Sequence, residues 1–213
     1  MKALILANGE LYKADVLRKR IHAEEFDLVL GADAGANNAD ALDVTVDAII
    51  GDLDSLSDLK HGSSNAKVIS YPAEKDETDL ELAILYAEKK GAEEIAIVGA
   101  MGGRMDMTIA NVLLIAQPGN HSCRIEIWHG EQTGWVIKPP GEDISGHPGD
   151  IVSLIPIGGC ASGITTRGLK YFLNNEELDI ITIRGISNQM QKSSAHITLS
   201  DGLLLVIHTP GGV

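Results

Sequence analysis

I-A-I-V-G-A-M-G-G-R-M-D, residues 95–106, is the stretch on which the fold turns. Ile95–Val98 form an unbroken apolar run of the kind found in strands buried on both faces. Gly99, Gly102 and Gly103 interrupt it, and Ile109, Val112, Leu113 and Ala116 then recur at helical spacing. The pattern predicts a strand, a glycine turn and a helix with that set as its apolar face. Ala3–Ala7, Leu28–Leu30, Ala48–Ile50 and Val68–Ser70 are further apolar runs, and Leu80, Ala83, Ile84 and Ala87 mark another helix. Strands alternating with helices imply a mostly parallel sheet in an α/β domain.

The grammar changes near Pro118-Gly119-Asn120. Six of the seven prolines and 14 of the 23 glycines lie from there onward. Ile125–Trp128, Gly134–Ile137, Ile151–Ile155, Leu178–Ile183, Ala195–Leu199 and Leu203–His208 are short runs separated by turn signals. Their spacing predicts an all-β sandwich or barrel. The expected organisation is therefore an α/β domain over 1–119 and an all-β domain over 120–213.

In open α/β sheets, ligands bind beyond the carboxyl ends of the strands, and four polar turns fall there. Gly31-Ala32-Asp33-Ala34-Gly35-Ala36-Asn37 combines small residues with Asp33 and Asn37, although Asp33 could equally cap a helix. Gly51-Asp52-Leu53-Asp54-Ser55 carries two carboxylates that can converge on a hard cation such as Mg²⁺, or serve as turn residues. Lys75-Asp76-Glu77-Thr78-Asp79-Leu80-Glu81 contains a capping box, Thr78-x-x-Glu81, whose helix N-terminus also suits a phosphate. Gly102-Gly103-Arg104 offers close backbone approach and a planar guanidinium fork to phosphate oxygens. Neither standard phosphate-loop fingerprint is present. Each turn alone has an ordinary structural explanation, but the four recur at successive strand ends.

Charge and composition narrow the field. The net charge is −13, with −10 of it in residues 1–117. This excludes a broad basic face for nucleic acid. No apolar run approaches the roughly 18 residues needed to span a bilayer, so a cytoplasmic protein without membrane partners is expected. Cys123 and Cys160 are not in a C-x-x-C pair, and free thiols are expected. The seven histidines show no metal-ligand spacing. Trp128 and Trp135 are expected in the core of the second, β half.

Taken together, G-A-D-A-G-A-N (31–37), G-D-L-D-S (51–55), K-D-E-T-D-L-E-L-A (75–83) and G-G-R-M-D (102–106) followed by Asn111 resemble thiamine pyrophosphokinases. Gly168-Leu169-Lys170-Tyr171, Gly185-Ile186-Ser187-Asn188 and Gly202–Val206 extend the resemblance through the second half. The resemblance implies a homodimer that transfers the pyrophosphoryl group of ATP to thiamine with Mg²⁺, giving thiamine diphosphate and AMP. It implies that the first domain, α/β, binds ATP and Mg²⁺ and that the second, a β-sandwich domain over 120–213, serves substrate binding and dimerisation. Asp52, Asp54 and Asp79 would hold the metal, with Asp54, Asp33 and Arg104 catalytic. Asn37, Lys75, Asp76, Thr78, Gly102, Gly103, Asp106 and Asn111 would contact ATP, and Ser187, Asn188 and Gln189 the substrate.

Two positions depart from the family's pattern. Met107 stands where a His is common, and Gln189 where Ser-Asn is commonly followed by Glu. A pyrophosphokinase for another hydroxyalkyl heterocycle and a non-catalytic nucleotide or thiamine sensor are the alternatives these raise. A phosphatase using Asp52-Leu53-Asp54 as a nucleophile motif is the third. It leaves the Gly102-Gly103-Arg104 turn without a role.

Overall fold

Ala3, Leu4, Ile5 and Leu6 are all fully buried. Side chains alternate across a strand, so both faces of the sheet at β1 (Lys2–Leu6) are covered. This is the centre of the first of two compact units, Met1–Glu131 and Gln132–Val213, in a computed structural model. The structure describes residues 1–52, 62, 65–117, 122–182 and 184–211.

In the first unit β2 (Leu28–Ala32), β3 (Ala48–Gly51), β4 (Lys67–Ser70), β5 (Glu94–Val98) and β6 (Arg124–His129) join β1 in the order β6-β5-β1-β2-β3-β4. Every pair is parallel. The crossovers carry α1 (Ala14–His22), a 3-10 helix (Asp33–Asn38) running into α2 (Ala39–Leu42), α3 (Asp79–Lys89) and α4 (Met105–Leu114). Leu17 and Ile21 of α1 and Leu42 of α2 share a core with Leu4, Leu6, Ile49, Val98 and Trp128.

Two expectations change here. Ile125–Trp128, grouped by composition with the second half, belong to β6, which pairs in parallel with β5. Trp128 is thus buried in the α/β unit, with the Arg20 guanidinium 4.2 Å from its ring centroid. The apolar face read on α4 is also turned. Ile109 and Leu113 are 54% and 52% exposed, while Asn111 and Leu114 are buried. The reason lies in Asn111, whose side-chain amide donates to the Ala100 carbonyl at 2.7 Å and fixes which side of the helix faces inward.

The second unit holds two antiparallel sheets. β7 (Gln132–Ile137), β9 (Ile151–Pro156), β14 (Leu204–Thr209) and β12 (Asn188–Gln189) run in the order β12-β9-β14-β7, and β8 (Gly141–Ser145), β10 (Ala161–Arg167), β11 (Glu176–Leu178) and β13 (Ser194–Thr198) in the order β11-β10-β13-β8. Trp135, Val152, Leu154 and Val206 of the first sheet share one core with Ile144, Ile164, Leu178 and Ile197 of the second. The strand expected over Leu178–Ile183 ends at Leu178. Asp179 accepts from the Ile181 N–H and closes a turn, leaving Ile180 and Ile181 exposed. Ile183 lies outside the described residues. Both cysteines are free, and burial with Glu88 alongside pushes the Cys123 thiol up to about 12. Among the described residues no helix is long and apolar enough to cross a membrane.

Candidate active site

From β1 the chain crosses to β2 on one side, while β5 returns to pair with β1 on the other. Such a reversal opens a crevice at the carboxyl ends of the strands. A cavity of about 610 Å³ lies there, walled by the segments that leave β1, β2, β3 and β5 and by the approach to α3.

The segment after β1 continues the pairing beyond the strand. Ala7 donates to Val98, Gly9 to Gly99 at 2.6 Å and Glu10 to Met101. Only glycine fits at position 9, because a Cβ there would stand 2.4 Å from the Gly99 carbonyl oxygen. The side-chain amide of Asn38 donates to the Ala7 carbonyl at 2.8 Å and ties this segment to the end of the 3-10 helix. The apolar run of β1 revealed the strand but not this wall. The only available hint was Asn8-Gly9, a turn pair directly after it.

Asp33 opens the 3-10 helix with φ of 47°, a left-handed conformation uncommon for a residue with a side chain. Capping, the other reading of Asp33, is not what it does. Ala32 occupies the N-cap position, and Asp33 lines the cavity. Asp52 lines it from the end of β3.

Ahead of α3, the Thr78 hydroxyl oxygen accepts from the Glu81 N–H at 3.2 Å, the capping geometry expected. Thr78, Lys75 and Asp79 all line the cavity, and Lys75 Nζ lies 2.8 Å from Asp79 Oδ1. The positive end of α3 and the Lys75 ammonium thus face the same space as four carboxylates, those of Asp33, Asp52, Glu77 and Asp79.

After β5, Gly102 and Gly103 have φ of 87° and 72°, and with Arg104 they form the opposite wall. Arg104 makes two bonds to Asp106, at 3.1 and 2.6 Å. The pair is exposed. Hydrogen bonding to Asp106 raises the guanidinium, and the same contact, with the Met107 N–H, holds the Asp106 carboxyl below its ordinary range. Asn111 and Met107 complete this wall.

Asp33, Asp52, Lys75, Thr78, Asp79, Gly102, Gly103, Arg104 and Asn111 therefore meet at one cavity. Asn37, Asp76 and Asp106 are not in its lining, whereas Glu77, which the sequence did not single out, is. The Asn37 side-chain oxygen is buried without a hydrogen-bond partner among the described residues. Asp54 lies outside the described residues. Among the described residues no three acidic, His or Cys side chains gather closely enough to hold a metal ion. The chemistry of the wall nevertheless fits Mg²⁺: Asp33, Asp52 and Asp79 are oxygen donors, and among the described residues no His or Cys lines it.

In the second unit, Asn188 is 9% exposed, and its side chain is closed on backbone. Its amide donates to the Tyr171 carbonyl at 2.6 Å, and its oxygen accepts from the N–H groups of Tyr171 and Gln189. This holds Tyr171 and Phe172 at the surface, 64% and 71% exposed. Ser187 is exposed with φ of 56°, and its N–H donates to Ser153 Oγ.

Residues 21–127 match the catalytic domain of thiamin pyrophosphokinase, and residues 138–204 match the thiamin pyrophosphokinase vitamin B1 binding domain. A thiamine pyrophosphokinase of Bacillus subtilis is 30% identical over 194 residues, covering 88% of this chain and 90% of that one. The chain belongs to the thiamine pyrophosphokinase family. A crystal structure of thiamin pyrophosphokinase from Geobacillus thermodenitrificans superposes with a TM-score of 0.80 at 27% identity, covering 98% of this chain and 97% of that one. The Bacillus subtilis thiamine pyrophosphokinase structure gives 0.84 at 24% identity, with 99% of each chain covered, which speaks to the fold. The thiamine pyrophosphokinase catalytic match lies wholly within the unit that holds the cavity, and the vitamin B1 binding match within the unit that holds Ser187, Asn188 and Gln189.

Proposed function

We propose that this member of the thiamine pyrophosphokinase family transfers the pyrophosphoryl group of ATP to the hydroxyl of thiamine, releasing AMP, and that it does so as a cytoplasmic homodimer. The observation that carries the reading is the cavity itself. Carboxylates from β2, β3 and α3 face a lysine, an arginine and a paired-glycine turn across one crevice. Phosphoryl-type transfer asks mainly for alignment and charge neutralisation, and these are the groups that supply both.

In this reading Lys75 and Arg104 bind triphosphate oxygens, and the Gly103 backbone lets the chain approach them. Arg104 exchanges Asp106 for phosphate, since the pair is exposed and an exposed ion pair contributes little. Asp52 and Asp79, with Asp54, hold Mg²⁺, which neutralises phosphate charge when bound. Asp33 or Asp54 accepts the proton of the attacking hydroxyl. The first unit thus serves ATP and Mg²⁺, and the second serves thiamine and the dimer. Ser187 and Gln189 present polar groups to thiamine, with Asn188 holding Tyr171 beside them.

Met107 supports a second reading, in which the acceptor is another hydroxyalkyl heterocycle. A thioether on the cavity wall can neither titrate nor donate a hydrogen bond as the His common there can. Incubation with Mg-ATP and either thiamine or other hydroxyalkyl heterocycles separates the two. AMP and thiamine diphosphate in equal amounts support the first. AMP formed only with another alcohol replaces thiamine, and ATP binding without turnover replaces catalysis by sensing.

A further inference from the structure

Two consecutive glycines have more backbone freedom than any other pair, so Gly102-Gly103 does not by itself hold one shape. Yet both sit at positive φ in a defined turn. Thr108, half-buried on the first turn of α4, supplies a constraint. Its hydroxyl oxygen accepts from the Gly102 N–H at 3.2 Å, and the same hydroxyl donates to the Arg104 carbonyl at 3.2 Å. A hydroxyl has one donor and two lone pairs, so one atom can serve both partners.

The result is a clamp on either side of Gly103. Gly102 is tied to the helix through this hydroxyl, and Arg104 is held by it and by the Thr108 N–H, which donates to the Arg104 carbonyl at 3.1 Å. Gly103 is left between them, with nothing among the described residues within 4 Å of where a Cβ would stand. On the far side, a Cβ at Gly102 would lie 2.8 Å from Glu10 Cβ, so Glu10 packs closely against the turn there. Thr108 itself is absent from the cavity lining, which Met107 and Asn111 form around it.

We propose that Thr108 is a positioning residue, which sets the Gly102-Gly103-Arg104 turn for the triphosphate without touching it. This rests on the reading of the cavity as the ATP site. Valine matches threonine in shape but lacks the hydroxyl, so Thr108→Val frees the Gly102 end of the turn while the backbone bond to the Arg104 carbonyl and the helix packing stay.

The test measures KM for ATP and for thiamine, the affinity for a non-hydrolysable ATP analogue and the melting temperature, in wild type, Thr108→Val and Thr108→Ser. The expected result for Thr108→Val is an increase of about tenfold in KM for ATP and in the analogue's Kd, the order set by releasing one residue's backbone. KM for thiamine and the melting temperature stay close to wild type, and Thr108→Ser restores ATP affinity. A folded Thr108→Val with wild-type analogue affinity overturns the proposal while leaving the ATP site standing. Equal losses in both KM values with a lowered melting temperature also overturn it, since they mark a purely structural threonine. A wild-type protein that does not bind the analogue removes the reading of the cavity, and the proposal with it.

Discussion

The Lys75 ammonium lies 2.8 Å from Asp79 Oδ1, both side chains partly buried at the cavity wall. A carboxylate offers two oxygens and about four lone-pair sites. Lys75 can therefore neutralise Asp79 through Oδ1 and still leave Oδ2 to a cation. The same ammonium can turn to a phosphate when one arrives. The pair is thus suited to a site whose charge changes with occupancy.

Lys75→Met removes a cation that the proposed reaction uses and no apolar contact that the fold needs. The expected loss in kcat/KM is at least ~10²-fold, a few kcal/mol of transition-state stabilisation. The melting temperature falls by less than about 4 °C, since a partly exposed ion pair contributes on the order of 1 kcal/mol. Steady-state kinetics beside a thermal melt checks both.

Gly102 and Gly103 both occupy the left-handed region, where a Cβ costs about 1–2 kcal/mol. They differ in surroundings, because only at Gly102 would the new atom meet Glu10 Cβ, at 2.8 Å. Gly102→Ala is therefore expected to lower the melting temperature more than Gly103→Ala, the latter by about 2–6 °C. Calorimetry on the two variants gives the order. Equal shifts would mean that the Glu10 side does not confine the turn.

Much of this site was legible in the sequence because its parts follow strand ends, and strand ends can be found from apolar runs. Asp33, Asp52, Lys75, Asp79 and Arg104 were located in that way. What was not legible depends on side chains that act through the backbone. Asn38 holds Ala7, and its neighbour Asn37 was the residue the motif drew attention to; nothing local distinguishes the two amides. On α4, Ile109 and Leu113 satisfy a helical period but face outward, because the polar Asn111 turns inward for the Ala100 carbonyl. Periodicity counts apolar residues and has no term for a buried amide with a partner. β8, Gly-Glu-Asp-Ile-Ser, escaped notice for a related reason: only Ile144 is buried, and pairing with β13 forms the strand.

Asp54 is read from sequence as a partner of Asp52 and Asp79 at the metal. Asp54→Asn keeps the size and removes the charge. Turnover is expected to drop at least ~10²-fold, and the Mg²⁺ concentration for half-maximal activity to rise. A Mg²⁺ titration of both proteins tests this, and near-normal activity with an unchanged titration would take Asp54 out of the site.

In the second unit Asp150 is 3% exposed. Burial pushes its carboxyl up, but the N–H groups of Gly211 and His147 and the His208 ring outweigh burial and hold it below the ordinary carboxylate range. A depressed folded pKa gives stability that is present above the unfolded value, about 3.9, and lost as pH falls through the folded one. Asp150→Asn is expected to lower the melting temperature at pH 7 by about 4–8 °C. The difference from wild type should shrink below about pH 4, and melts from pH 7 down to pH 3 would show it.

The central claim is that the cavity moves a pyrophosphoryl group from ATP to thiamine. ATP labelled with ³²P at the β-phosphorus distinguishes this from every simpler phosphoryl reaction. With Mg²⁺ and thiamine, the account predicts that the label moves into thiamine diphosphate while unlabelled AMP appears in equal amount. Label remaining in ADP, or released as inorganic phosphate or pyrophosphate with thiamine unchanged, would contradict it.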